Sequence, residues 1–289
     1  MSKAPSPNTD VSLEGNVLPT SMQQIGTVVK YEMTNYFRSR RFFILLIIGL
    51  IVSGLLTFLV AYYGVSTFGS SAIQFYSAWW QFAPTFVVIF SAIFFGGDAI
   101  SGEFQNKTGY FLVGNPIRRS SIYIGKWVAA FTAAIIIMAV FTAIAIANGA
   151  YYFGGSAFPS QFGQAVVFTI VYLIAALGFT FFFSSLFKSS SMSILVTVIL
   201  LLFGFSIIDT LVTSLVHIEP WFILTYGSAI ITGVLSAGGF PAHQTVEHFG
   251  RVTITTYNAT IPEGLAIMLV YFAITAILGL VLFERKEFN

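Results

Sequence analysis

The sequence contains no cysteine, which excludes disulfides, thiolate nucleophiles and cysteine-ligated zinc together. Charge is nearly as scarce. Only 8% of the 289 residues are charged, 13 lysines and arginines against 11 aspartates and glutamates. The net charge of +2 is too small to point to nucleic acid as a partner. There is no G-x-x-x-x-G-K-[ST] phosphate loop; Gly125-Lys126 runs into Trp127 and an apolar stretch, so this chain is not expected to bind nucleotide itself. The serines and the three histidines form no nucleophile-and-base motif, and no catalytic residue is assigned. No internal repeat is evident, which gives no support to an inverted-repeat carrier.

What is present is apolar. Hydrophobic residues make up 56% of the chain, 32 of them phenylalanine, and the mean hydropathy is +0.86. A helix needs about 20 residues to cross the hydrocarbon of a bilayer. Six runs suit that role: about 42–62, from Trp79-Trp80 to Gly96-Gly97, then 127–147, 165–187, 192–208 and 263–283. Trp79 and Trp80 are read as interfacial anchors. The expected fold is an all-α integral membrane protein with six transmembrane helices in one domain over 21–289. The polar, proline-containing residues 1–20 have no signal-peptide pattern and are expected to be a disordered cytosolic tail.

From Ser21 the pattern predicts an amphipathic helix. Ile25, Val28, Val29, Met33, Tyr36 and Phe37 recur at helical spacing, with Lys30, Thr34, Arg38 and Arg41 on another face. Such a helix suits the membrane interface, its basic side toward lipid phosphates or a partner. Between the fifth and sixth runs, Trp221–Leu235 is too short and interrupted to span, and a re-entrant or interfacial helical pair is expected there. Twelve of the 13 basic residues fall on the side of the two termini and the 98–126 loop; only Arg251 falls opposite. By the positive-inside rule both termini are expected to be cytoplasmic, in a multi-pass protein of the cell membrane.

The loop 98–126 gathers Asp98, Glu103, Lys107, Arg118, Arg119 and Lys126 between two apolar runs. A helix is expected from Ser101 to Val113, stopping before Asn115-Pro116 because a residue preceding proline disfavours helix. Glu103 and Lys107, four apart, would support it. Asp98, at a membrane boundary, is expected to cap a helix or to pair with a basic neighbour.

The text D-x-x-S-x-E, T-G, N-P-I-x-R, G-K, at Asp98, Ser101, Glu103, Thr108, Gly109, Pro116, Arg119, Gly125 and Lys126, resembles the segment after the second span of type-2 ABC exporter permeases. The Gln105-Asn106-Lys107 insert departs from the commonest version. The resemblance extends from about Ser21 to the C-terminus. It implies an N-terminal elbow helix, contributed here by Lys30, Arg38 and Arg41, and a cytoplasmic coupling helix between the second and third spans. Ser101, Glu103, Phe104, Gln105, Lys107, Thr108 and Gly109 would dock a separate ATP-binding subunit, which would hold ATP and Mg. A second permease chain, identical or different, is implied as well. Membrane lipids surround such a protein, and the outer segment leaves room for an extracytoplasmic partner.

Two other readings are carried. An ATP-independent carrier or channel would need polar groups at mid-span depth, yet Ala129–Ala147 offers only Thr132 and Thr142. A membrane anchor within a larger complex is the other. Spans without central charges suit a hydrophobic or amphipathic cargo, and equally a narrow path that passes force to an outside partner. His217, His243 and His248, with Glu219 and Glu247, are expected to be solvated loop residues rather than a metal site. Asp209 and Glu263 are read as boundary residues, Glu263 in the first turn of a helix where its charge suits the dipole. Gly49 and Ser53, four apart, are noted as a possible dimer face, and Asn258-Ala259-Thr260 as a sequon.

Overall fold

The computed structural model of the chain describes residues 20–107, 117–155, 158–249 and 252–286. Residues 1–19 of the expected tail, together with Thr108, Gly109, Pro116 and Arg251, lie outside the described residues.

Helix α1 (Ser21–Arg38) starts at a capping box in which Thr20 and Gln23 exchange side-chain and backbone hydrogen bonds. It is the expected elbow, with Val28 buried and Lys30 and Arg38 exposed. Ser39 then serves two helices. Its backbone N–H donates to Tyr36 O and closes α1, while its hydroxyl accepts from Phe42 N–H and opens α2 (Arg40–Tyr63). An extended residue carrying an N-cap side chain is what lets the chain turn from elbow to span.

Helix α3 (Ala72–Trp80) precedes the second span and corrects one expectation. Trp79 and Trp80 are fully buried rather than interfacial. The Trp80 ring lies edge-on to Phe162, and its Nε1–H donates to Thr169 Oγ1 at 3.0 Å, so its one polar atom is satisfied inside the bundle. The second span follows as a π-helical segment from Ala83 to Ile89, beginning at Pro84, then α4 (Phe90–Gly96) and α5 (Ser101–Gln105). Proline has no N–H to donate, and the wider π turn begins where it sits.

The third span, α6 (Arg119–Phe153), has 35 residues. At 1.5 Å per residue it is about 52 Å long, against a hydrocarbon thickness of about 30 Å, so it extends beyond the bilayer core. Next come α7 (Ser160–Leu186) and the fifth span, in which α8 (Ser190–Val198) and α9 (Phe205–Leu211) alternate with π-helical segments at 199–204 and 212–216. The expected helical pair is α10 (Leu224–Ser228) and α11 (Ile230–Gly233). The Val/Thr-rich stretch beyond it is a short antiparallel hairpin, β1 (Gln244–Phe249) paired with β2 (Val252–Tyr257), in an otherwise all-α membrane fold. The run of β-branched residues from Val252 to Thr256 favours that extended pairing. The last span is α12 (Ile261–Arg285).

Six helices are thus long and apolar enough to cross a membrane: 40–63, 83–105, 119–153, 160–186, 190–216 and 261–285. The second span and α7 are the most enclosed, and α7 packs most extensively against α12. Ile47, Ile51, Leu55 and Phe58 form the exposed apolar side of α2, where lipid tails suit them. Ser53 is fully buried and Gly49 faces Ile137 of α6, so this pair serves packing within the chain and not a dimer face.

Candidate functional site

At the end of the bundle that carries most of the basic residues, three elements meet on one lysine. Lys126 Nζ, in α6, lies 2.5 Å from Glu32 Oε1 of α1 and 2.7 Å from Glu103 Oε1 of α5. All three side chains are largely withdrawn from solvent. An isolated charge here would be costly, and the paired carboxylates are what allow the ammonium to sit there. The neighbouring Gly125 has the matching steric role. A Cβ on it would fall 2.7 Å from the Val28 side chain, so glycine permits α1 to lie directly on α6. The Gly-Lys pair therefore does two things, admitting the elbow and then pinning it.

Asp98 pairs with the Arg41 guanidinium of α2, the basic neighbour that the sequence led us to expect. Tyr36 Oη donates to Phe95 O at 3.1 Å. Burial raises the Tyr36 hydroxyl well above its ordinary pKa, and Glu32 and Asp98 nearby add to the effect. A cleft of about 230 Å³ opens between α1, α4 and α5, with Glu32, Arg41, Asp98, Glu103 and Lys126 among its lining residues.

Helix α5 differs from the expected coupling helix in length and in facing. It has five residues, and Lys107, with φ of 56°, has left the α conformation, so no α-helix runs unbroken from Ser101 to Val113. The Glu103–Lys107 support does not form; Glu103 turns to Lys126 instead. Ser101 is fully buried, and Ser184 Oγ accepts the backbone N–H groups of Ile100 and Ser101 at 2.9 and 3.0 Å. Gln105 Oε1 accepts from Ser190 N–H at 2.7 Å, at the start of α8. Phe104 lies edge-on to Phe283 of α12. A helix this short presents little surface, and four of its side chains engage the bundle. Lys107 is the fully exposed one among the described residues singled out for docking beyond Gln105.

The same end is closed by two basic caps. Arg119 Nη1 donates to the carbonyls of Glu284 and Lys286, both at 2.9 Å. Lys286 Nζ donates to Ser185 O and Phe187 O at 2.8 Å and sits 4.3 Å over the Phe104 ring. Burial and the neighbouring Lys188 pull the Lys286 ammonium down to a pKa of about 8. The sequence reading counted Lys286 only as a topological charge and missed this role. Lys30 and Arg38 remain on the exposed side of α1.

At the opposite end the structure brings together residues that the sequence left apart. Glu219, His243 and Glu263 each place a ligand-type atom within 4.8 Å of the others. Tyr226 Oη donates to Glu219 Oε1 at 2.6 Å, and His243 Nδ1 lies 3.0 Å from Asn258 O. Burial alone would raise the Glu219 carboxyl, but Tyr226, Glu263 and His243 more than offset it and hold it below the usual value. Glu263 also completes a capping box with Thr260 at the start of α12, as its first-turn position suggested. His217 is separate, at a left-handed turn where its carbonyl accepts from Tyr257 Oη.

No curated protein matches the chain. The family model described as ABC-2 family transporter protein matches residues 26–288, from within the elbow helix to beyond the end of the last span. With six apolar helices and a basic cluster joining elbow, second span and third span, the chain belongs to the ABC-2 transporter family as a membrane permease subunit.

Proposed function

We propose that this permease is driven by a separate ATP-binding subunit docked at its basic end, and that it works as an exporter in a dimer of two such chains. The observation that carries the reading is the Lys126 cluster, which ties α5 to both the elbow and the third span. A rigid-body movement applied at α5 would reach α6 through Lys126, α7 through Ser184 and α8 through Gln105. Docking falls to Lys107 and the residues that follow it toward 116, while Ser101, Glu103, Phe104 and Gln105 transmit. ATP and Mg belong to the partner. The basic end is cytoplasmic in this reading, with both termini there. The export direction rests on the likeness of the Asp98–Lys126 text to exporters.

The absence of cysteine makes the test clean. Lys107→Cys, expressed in the native host, would be treated with a short bifunctional thiol–amine crosslinker in mild detergent. The expected product is a conjugate with an ATP-binding subunit, absent from a lipid-side control such as Ile51→Cys. Co-purification of such a subunit without any conjugate from Lys107→Cys would overturn the docking site. Isolation of the permease with no ATP-binding partner would overturn the ATP-driven reading.

A further inference from the structure

The Glu219–His243–Glu263 cluster is unlike an ordinary solvated loop in one respect. His243 Nδ1 lies 3.0 Å from the carbonyl oxygen of Asn258, and a carbonyl only accepts, so Nδ1 must carry the proton. With Nδ1 as the donor, the neutral tautomer has the lone pair of Nε2 to offer a ligand-bound ion. That nitrogen lies 3.4 Å from Glu219 Oε2, itself an acceptor. Glu263 adds a second carboxylate, its Oε2 3.9 Å from Nδ1 of the same imidazole. Among the described residues no lysine or arginine lies within 4.0 Å of either carboxylate. Two carboxylates and an imidazole thus converge at one place, donor types that hold a divalent cation.

We propose that Glu219, His243 and Glu263 form a binding site for a divalent transition-metal ion of the zinc class. The donor set of one imidazole and two carboxylates suits such an ion, since imidazole selects against calcium and magnesium. In a tetrahedral site with bonds near 2.0–2.1 Å, ligand atoms sit roughly 3.4 Å apart. The His243–Glu219 separation of 3.4 Å already matches. All three ligand atoms lie within 4.8 Å of one another. Each ligand is also held from behind. Tyr226 Oη fixes Glu219, Asn258 O fixes the His243 tautomer, and Thr260 N–H holds Glu263. Outer partners of this kind orient metal ligands and tune their basicity. The three side chains are between a quarter and a half exposed, which leaves a way in from water.

The three ligands come from three segments: the turn after the fifth span, the loop before β1 and the first turn of α12. A bound ion would therefore fasten the hairpin-bearing outer segment to the last span. Close packing already brings these parts together, since Gly264, next to Glu263, lies against Gly227 O so tightly that a Cβ would fall 2.6 Å from it. The inference does not depend on the ATP-driven reading.

The test uses the full chain in detergent, purified with a non-histidine affinity tag and freed of metal by chelator. Zn2+ binding would be followed by competition with a chromogenic chelator at neutral pH, and Co2+ would serve as a spectroscopic probe. The expected results are one Zn2+ per chain and a Co2+ spectrum of low coordination number. His243→Gln and Glu219→Gln should each weaken Zn2+ binding about 10-fold or more, by analogy with the size of outer-partner effects. His217→Gln should leave it unchanged, and thermal melting of the metal-free variants shows that they remain folded. The proposal is overturned if the wild-type chain takes up no Zn2+, if His243→Gln binds as tightly as wild type, or if Ca2+ competes as well as Zn2+.

Discussion

Lys126 Nζ lies 2.7 Å from the Glu103 carboxylate, joining the third span to the short helix that ends the second. The same ammonium reaches Glu32 on the elbow, so one cation serves two anions from two other elements. That geometry sets the first prediction. Lys126→Met would leave both carboxylates facing each other with no partner at this contact. Breaking a buried ionic group in this way costs about 3–5 kcal/mol. The variant should melt at markedly lower temperature, and adding Glu32→Gln and Glu103→Gln should recover most of the loss. If Lys126→Met melts like wild type, the cluster is not what holds the elbow.

Gly125 sets the second. Replacement by valine forces branched carbon into the space held by Val28. Overpacking of this kind costs about 1–3 kcal/mol. Helix α1 should lift from α6, which limited proteolysis would detect as faster cleavage near residues 21–38. Unchanged cleavage would show that the close approach is not needed.

Ser184 makes the third. Its hydroxyl oxygen accepts two backbone N–H groups, from Ile100 and Ser101, in a buried setting. Ser184→Ala leaves both donors unsatisfied, at about 1–3 kcal/mol for each group so stranded. Hydrogen exchange of the 100–105 amides should accelerate while exchange within α12 stays as it was. Should both segments accelerate together, Ser184 would be stabilising the whole bundle and not the short helix.

The fourth concerns acid. Glu219 has its carboxyl held below its ordinary value of 4.5 in the folded protein, chiefly by the Tyr226 hydrogen bond working against burial. The unfolded chain then binds more protons than the folded one as pH falls through this range, so stability drops on acidification. The contribution is present above about pH 4.5 and is lost as pH falls through the lower folded value. Tyr226→Phe removes the donor at Glu219 Oε1, and the metal-free melting temperature of that variant should fall less steeply with acid than that of wild type. Parallel pH profiles for the two proteins would remove Tyr226 from this account.

The six spans were legible without coordinates because lipid leaves the backbone one economical solution. In hydrocarbon every N–H and C=O must be satisfied within the helix, so length and apolarity suffice to mark a span. The elbow at Ser21–Arg38 was legible for a related reason, since its two faces recur at helical period. The pairing of Asp98 with a basic neighbour followed from the cost of charge at a membrane boundary.

Partners distant in sequence were decided only by packing. Glu32 and Lys126 are 94 positions apart, and no local pattern relates them. Ser101, Glu103, Phe104 and Gln105 each meet a partner within the chain because Ser184, Lys126, Phe283 and Ser190 converge on α5 from four other segments. Trp79 and Trp80 look like interface anchors by composition, yet α3 carries them into the core against Phe141 and Phe162. His243 meets Glu263 because β1 and β2 pair and set His243 beside Asn258, five positions before Glu263, which spacing along the chain cannot express. Composition and period determine which segments enter the membrane, whereas the charges that link those segments are placed by helix packing, where a buried ion must find its counter-ion wherever the fold supplies one.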